Sequence, residues 1–116
     1  MAIQDTVATL LQYSLLLSIY HWHTSSYSRH KATDELYHHL VDFIDQLVEY
    51  YQGTHPRLPF NHDIHIQTIN DTNVVPLLES LSSKIESIRL HDQGIRARRD
   101  DLIGYIHHAM YLFTLN

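Results

Sequence analysis

Five side chains able to ligate a metal, His30, Asp34, His38, Asp45 and Glu49, recur along one predicted helix. At about 100° per residue they share a stripe at the border of that helix's apolar face. Imidazole and carboxylate ligands suit Fe(II), and Mn or Zn also accepts them. Asp34 and Asp45 are separated by roughly 16 Å of helix rise, so the two carboxylates of one chain cannot hold the same ion. An antiparallel pairing of two such helices about a two-fold axis would set the His30/Asp34 end of one copy against the Asp45/Glu49 end of the other, giving two equivalent sites per dimer. The competing reading is plain: charges at i, i+4 spacing also mark the solvated side of a helix.

The elements that must position these residues follow from the apolar pattern. From Asp5 to Trp22, Val7, Leu10, Leu11, Leu15, Leu17, Tyr20 and Trp22 recur at helical spacing without Gly or Pro. Thr24-Ser25-Ser26 breaks that helix and offers hydroxyls to cap the next. The second helix runs from about Ser28 to Tyr51 on the row Leu36, Leu40, Phe43, Leu47 and Tyr51, and Gly53 and Pro56 close it. Between Gln52 and Thr72 the prolines Pro56 and Pro59, with Ile64 and Ile66 alternating against polar residues, predict an extended connection. A third helix is expected from near Asn73, with Leu77, Leu78, Leu81, Ile85 and Ile88 inward and an end before Gly94. The fourth takes in Asp100 to Leu115, with Leu102, Ile103, Ile106, Met110 and Phe113 as its apolar face.

The second helix is roughly 35 Å long, and an extended linker can travel back along it. The expectation is therefore all-α: a single domain over residues 1–116, a ferritin-like four-helix bundle of two hairpins joined by one long B–C crossover.

A specific resemblance sharpens the metal reading. The chain has His21-Trp22 at the end of the first helix, then Tyr27-Ser28-Arg29-His30, then Asp34, then Asp45-Gln46-Leu47-Val48-Glu49. In this order and spacing it resembles Dps proteins, the ferritin-like DNA-binding proteins of starved cells. The resemblance implies that His21, His30 and Asp34 come from one subunit and Asp45 and Glu49 from its two-fold mate, forming a ferroxidase-type iron site with Trp22 packed beside it. It has departures. The segment between Trp22 and His30 is shorter than in the family, His23 replaces a common Asn, and His38 is an additional donor. The chain is shorter than typical family members, has no lysine-rich tail and carries a Pro-containing linker where they usually have a short helix, so DNA protection and the twelve-subunit shell are not carried over. The tyrosine-rich segment from Tyr27 to Tyr51 also resembles uncharacterised proteins encoded by phages and large DNA viruses. That resemblance implies a non-catalytic structural or virion-associated protein with other virion proteins as partners.

Composition bounds the alternatives. Formal net charge is −5 and the eight Lys and Arg form no long run, which speaks against nucleic acid as a partner. No cysteine is present, so any metal needs nitrogen and oxygen ligands. The run from Leu15 to Tyr20 is far short of a membrane span and no basic segment precedes it, so a cytoplasmic or virion location and no membrane partner are expected. Glu35-Leu36-Tyr37-His38 is a lone Glu-x-x-His, too little for an intrachain di-iron core. No Gly-rich phosphate loop or Gly-x-Ser-x-Gly elbow occurs. His62 and His65 read as surface residues, Arg96, Arg98 and Arg99 as local partners of Asp100 and Asp101, and one of His107 or His108 as a satisfied core histidine.

Overall fold

A computed structural model describes residues 2–115. Four helices follow one another: α1 (Ile3–His23), α2 (Tyr27–Gln52), α3 (Val74–Glu86) and α4 (Gln93–Leu112). No strand occurs among the described residues. Each helix packs on two neighbours, in the cyclic order α1, α2, α4, α3.

Long-range contacts fix the directions. Tyr20 reaches Asp71 and Tyr13 reaches Ser80, so α1 and α3 are antiparallel. Arg29 reaches the Phe113 carbonyl while His39 stacks on Tyr105, so α2 and α4 are antiparallel too. It follows that α2 and α3, on one diagonal, run parallel. The chain is two helical hairpins joined by a long crossover, as the helix lengths and the Pro-containing linker predict.

The crossover is irregular in backbone and runs along α1 from its first turn to its last. His62 Nε2 lies 2.8 Å from Asp5 Oδ1, the His65 N–H donates to Gln12 Oε1 at 3.1 Å, and the Tyr20 hydroxyl donates to Asp71 Oδ1 at 2.6 Å. Its buried anchor is Ile69, 1% exposed, whereas Ile64 and Ile66 point outward. The alternation in the sequence thus marks an extended segment without naming its core residue.

The core is one continuous cluster that includes Leu10, Leu17 and Tyr20 of α1, Leu36, Leu40 and Leu47 of α2, Leu78, Leu81 and Ile85 of α3, and Leu102 and Ile106 of α4. A buried side chain of this size is worth about 1.5–3 kcal/mol over its exposed state, so these rows hold the bundle together. The Ser26 hydroxyl accepts from the Arg29 N–H and starts α2.

Three expectations need correction. First, α4 begins at Gln93, because the Asp92 carboxylate accepts from the N–H groups of Gly94 and Ile95 and the Ile95 side chain is buried; Gly94 therefore lies inside the first turn of α4 and does not end α3. Second, Leu77 is only half-buried and Val74 takes the core position at the start of α3. Third, His107 and His108 are both exposed, so neither is a core histidine. Arg99 does pair with Asp100 at 3.1 Å, as its sequence neighbourhood suggests, and it also donates to the Ile88 carbonyl.

Candidate metal half-site and the helix ends around it

The break Thr24-Ser25-Ser26 folds the end of α1 against the start of α2 and brings His21 and His30 together. Their rings stack with centroids 3.8 Å apart and planes 17° from parallel. His21 Nδ1 is 2.9 Å from the His30 carbonyl oxygen, and His30 Nδ1 is 3.0 Å from the His21 carbonyl oxygen. A carbonyl can only accept, so both Nδ1 atoms carry the proton and donate. In the neutral rings the lone pair is left on Nε2 in both. A ring pinned through Nδ1–H to a backbone carbonyl, with Nε2 bare, is the arrangement that metal-ligating histidines adopt. Both residues are half-buried.

Asp34 stands one turn beyond His30 on α2 and is half-buried. Asp45 and Glu49 lie further along the same stripe, exposed, and so does His38. Asp45 is roughly 22 Å of helix rise from His30 and Glu49 roughly 28 Å. One chain therefore unites His21 and His30, keeps Asp34 close in sequence to them, and leaves Asp45 and Glu49 remote. No group of three or more His, Asp or Glu side chains able to hold a metal occurs among the described residues. The donor chemistry fits iron, but a single chain supplies two imidazoles where a stable site needs at least a third ligand. Trp22, in the last turn of α1, is 74% exposed.

Behind the histidine pair lies a polar cluster that the sequence did not announce. Asp71, from the end of the crossover, accepts from the hydroxyls of Tyr20 at 2.6 Å and Thr24 at 3.2 Å. Arg29 lies 3.6 Å from Asp71, donates to the Tyr20 hydroxyl oxygen at 3.4 Å and to the Phe113 carbonyl at 3.3 Å, and sits over the Phe113 ring. One arginine thus ties the start of α2 to the end of α1, the start of α3 and the end of α4. The bond from Tyr20 holds the Asp71 carboxyl below the usual aspartate range, helped by Thr24 and Arg29. Burial pushes the Tyr20 hydroxyl up, and its bond to Asp71 adds to the shift. The participants are spread over residues 20–113, so only an Arg within the His30 motif hinted at the cluster.

The outer face of the α1/α2 hairpin is the other feature of this region. Leu11, Leu15 and Trp22 of α1 are exposed on one row, and Tyr37 and Val41 accompany the ligand stripe of α2, half-buried and exposed respectively. These apolar residues lie on the outward side of helices whose inward sides are already packed.

Against known proteins, residues 21–113 match the model of a family of unknown function, DUF5856, and the chain belongs to that family. The match is neither to Dps nor to ferritin. A relative from Enterobacteria phage T4, described as an uncharacterized 14.6 kDa protein in the mobD-ri intergenic region, is 29% identical over 96 residues, covering 82% of this chain and 74% of its own. No solved structure matches. No helix is long and apolar enough to cross a membrane among the described residues.

Proposed function

We propose that this member of the DUF5856 family is a self-associating helical bundle that binds a divalent metal, iron by its donor set, at a two-fold interface between α2 helices. The observation that carries the reading is the pair of imidazoles, each fixed by Nδ1–H to the other's backbone carbonyl with Nε2 left bare. Positions on α2 support the two-fold geometry. His30 with Glu49, and Asp34 with Asp45, are each centred on the same point of the helix, between His39 and Leu40. An antiparallel crossing there would bring both carboxylates of one copy to the histidine end of the other, with Val41 and the α1 row of Leu11 and Leu15 available for the apolar contact. His21, His30 and Asp34 would be the donors from one copy, Asp45 and Glu49 those from its mate, and Trp22 would be covered beside them. This is a ferritin-like reading of the bundle, and ferroxidase activity is the chemistry such a site would serve.

A second reading is favoured by the phage relative: a non-catalytic structural or virion-associated protein whose stripe makes interface hydrogen bonds and ion pairs. Anaerobic Fe(II) titration of His30→Ala, of Asp45→Ala and of their refolded mixture separates the two. Across a two-fold interface each variant alone loses both sites, whereas a mixed dimer regains one, so the mixture should recover metal binding that neither parent has. Wild-type protein that dimerises in sedimentation yet takes up no metal would leave the structural reading in place.

A further inference from the structure

The opposite end of the bundle, where α2 and α3 finish and α1 and α4 start, holds a cavity of about 470 Å³. We infer that it is a binding site for a small amphipathic anion, one with a carboxylate or phosphate head on an apolar body.

The floor is apolar: Leu47 and Ile88 are buried, and Ile3 and Leu90 are half-buried beside them. The rim carries two cations and an imidazole. Lys84 comes from the last turn of α3, and Arg89 and His91 from the segment between α3 and α4. No Asp or Glu lines the cavity among the described residues, although the chain as a whole carries 13 acids against eight Lys and Arg. Lys84 and Arg89 form no ion pair among those residues. Lys84 has an ordinary reason to sit where it does, since a cation favours the C-terminal end of a helix. Arg89 and His91 lie three and five residues beyond that end.

One wall is also pre-set. His55 stacks on Tyr51 at 4.1 Å with planes 10° apart, and its Nδ1 is held by the Tyr51 carbonyl and the Thr54 hydroxyl. This gives a flat surface beside the opening and leaves His55 Nε2 unused by those bonds. An apolar floor with a few convergent polar groups, in a volume between about 300 and 1,000 Å³, is the usual anatomy of a small-molecule site. The sign of the rim selects the head group, and the floor selects the body.

The test titrates the full-length protein with decanoate, with decyl phosphate and with 1-decanol, all below micelle-forming concentrations, by calorimetry and by the methyl resonances of Leu47, Ile88 and Leu90. Saturable binding of one or both anions, at least tenfold tighter than of decanol, is expected, and the tighter anion identifies the head group. Lys84→Glu combined with Arg89→Glu should weaken anion binding tenfold or more with the far-UV circular dichroism unchanged. The milder Lys84→Gln, Arg89→Gln pair serves if the reversal does not fold. Decanol binding as tightly as the anions, anion binding indifferent to either pair of substitutions, or no saturable shift up to millimolar ligand would each overturn the inference. The cavity is remote from the histidine pair, so His30→Ala should bind the anions like wild type.

Discussion

Two clusters at opposite ends of this bundle hold their charged groups in different ways. At the His21/His30 end, Arg29, Asp71, Tyr20 and Thr24 satisfy one another, and the histidine rings spend one nitrogen each on backbone carbonyls. At the far end, Lys84 and Arg89 face a cavity and pair with nothing among the described residues. A closed network ties helix ends together, and losing one member leaves others without partners. An open rim of cations contributes little to folding and keeps its charge for something else. Stability should therefore be concentrated at the first end and binding capacity at the second.

Substitutions can break or sharpen this contrast. The largest effect is expected from Tyr20→Ala, which empties a fully buried ring position and takes one partner each from Asp71 and Arg29; chemical denaturation should show a loss of about 3–5 kcal/mol. Arg29→Met keeps much of the stem but removes the donor shared by Tyr20 and Phe113, for a loss of about 1–3 kcal/mol in the same measurement. Tyr20→Phe deletes only the hydroxyl and should cost about 1 kcal/mol. Lys84→Ala, at the open end, should fall within about 0.5 kcal/mol of wild type. If Lys84→Ala proved as costly as Arg29→Met, the division of labour between the ends would be wrong.

Acid should act on the closed end. The Asp71 pKa is lowered in the folded chain, so its contribution is present above the ordinary aspartate value and is lost as pH falls through the folded one. Tyr20 runs the other way: its raised pKa gives a contribution complete below the ordinary tyrosine value, lost as pH rises through the folded one. Stability measured from pH 7 down to pH 2 should decline less in Asp71→Asn than in wild type. The difference should be small, because the Asp71 side chain is about half-exposed.

Much of the fold is readable in the sequence because helix periodicity is local: the rows of α1 and α2 predict both helices within a few residues, and the Pro56–Pro59 segment predicts the crossover. The start of α4 is not legible in the apolar row because Gly94 looks like a terminator until Asp92 is seen to cap the helix. The candidate half-site is readable in part. Its histidines stand on either side of a short break and meet, whereas Asp45 and Glu49 lie remote from them along the same helix. The far cavity is not legible in the sequence because its two cations, Lys84 and Arg89, and its histidines, His55 and His91, come from separate stretches, none of which is basic enough to register alone. His62 is exposed, as the polar linker predicts, and its contact with Asp5 spans 57 positions of sequence.

The crossover has a consequence for how the chain reaches its structure. Each hairpin joins neighbours in sequence, so its contacts close short loops, while the strap between them closes the longest one and carries few buried side chains of its own. The hairpins should therefore form early, with docking of the strap against α1 completing the process. Arg57, exposed near the start of the strap, offers trypsin a cleavage point whose loss of continuity the packed core can survive. A nicked molecule should stay assembled as two complementary fragments, and once separated in denaturant those fragments should recombine more slowly at lower concentration, since an intramolecular step has become a bimolecular one.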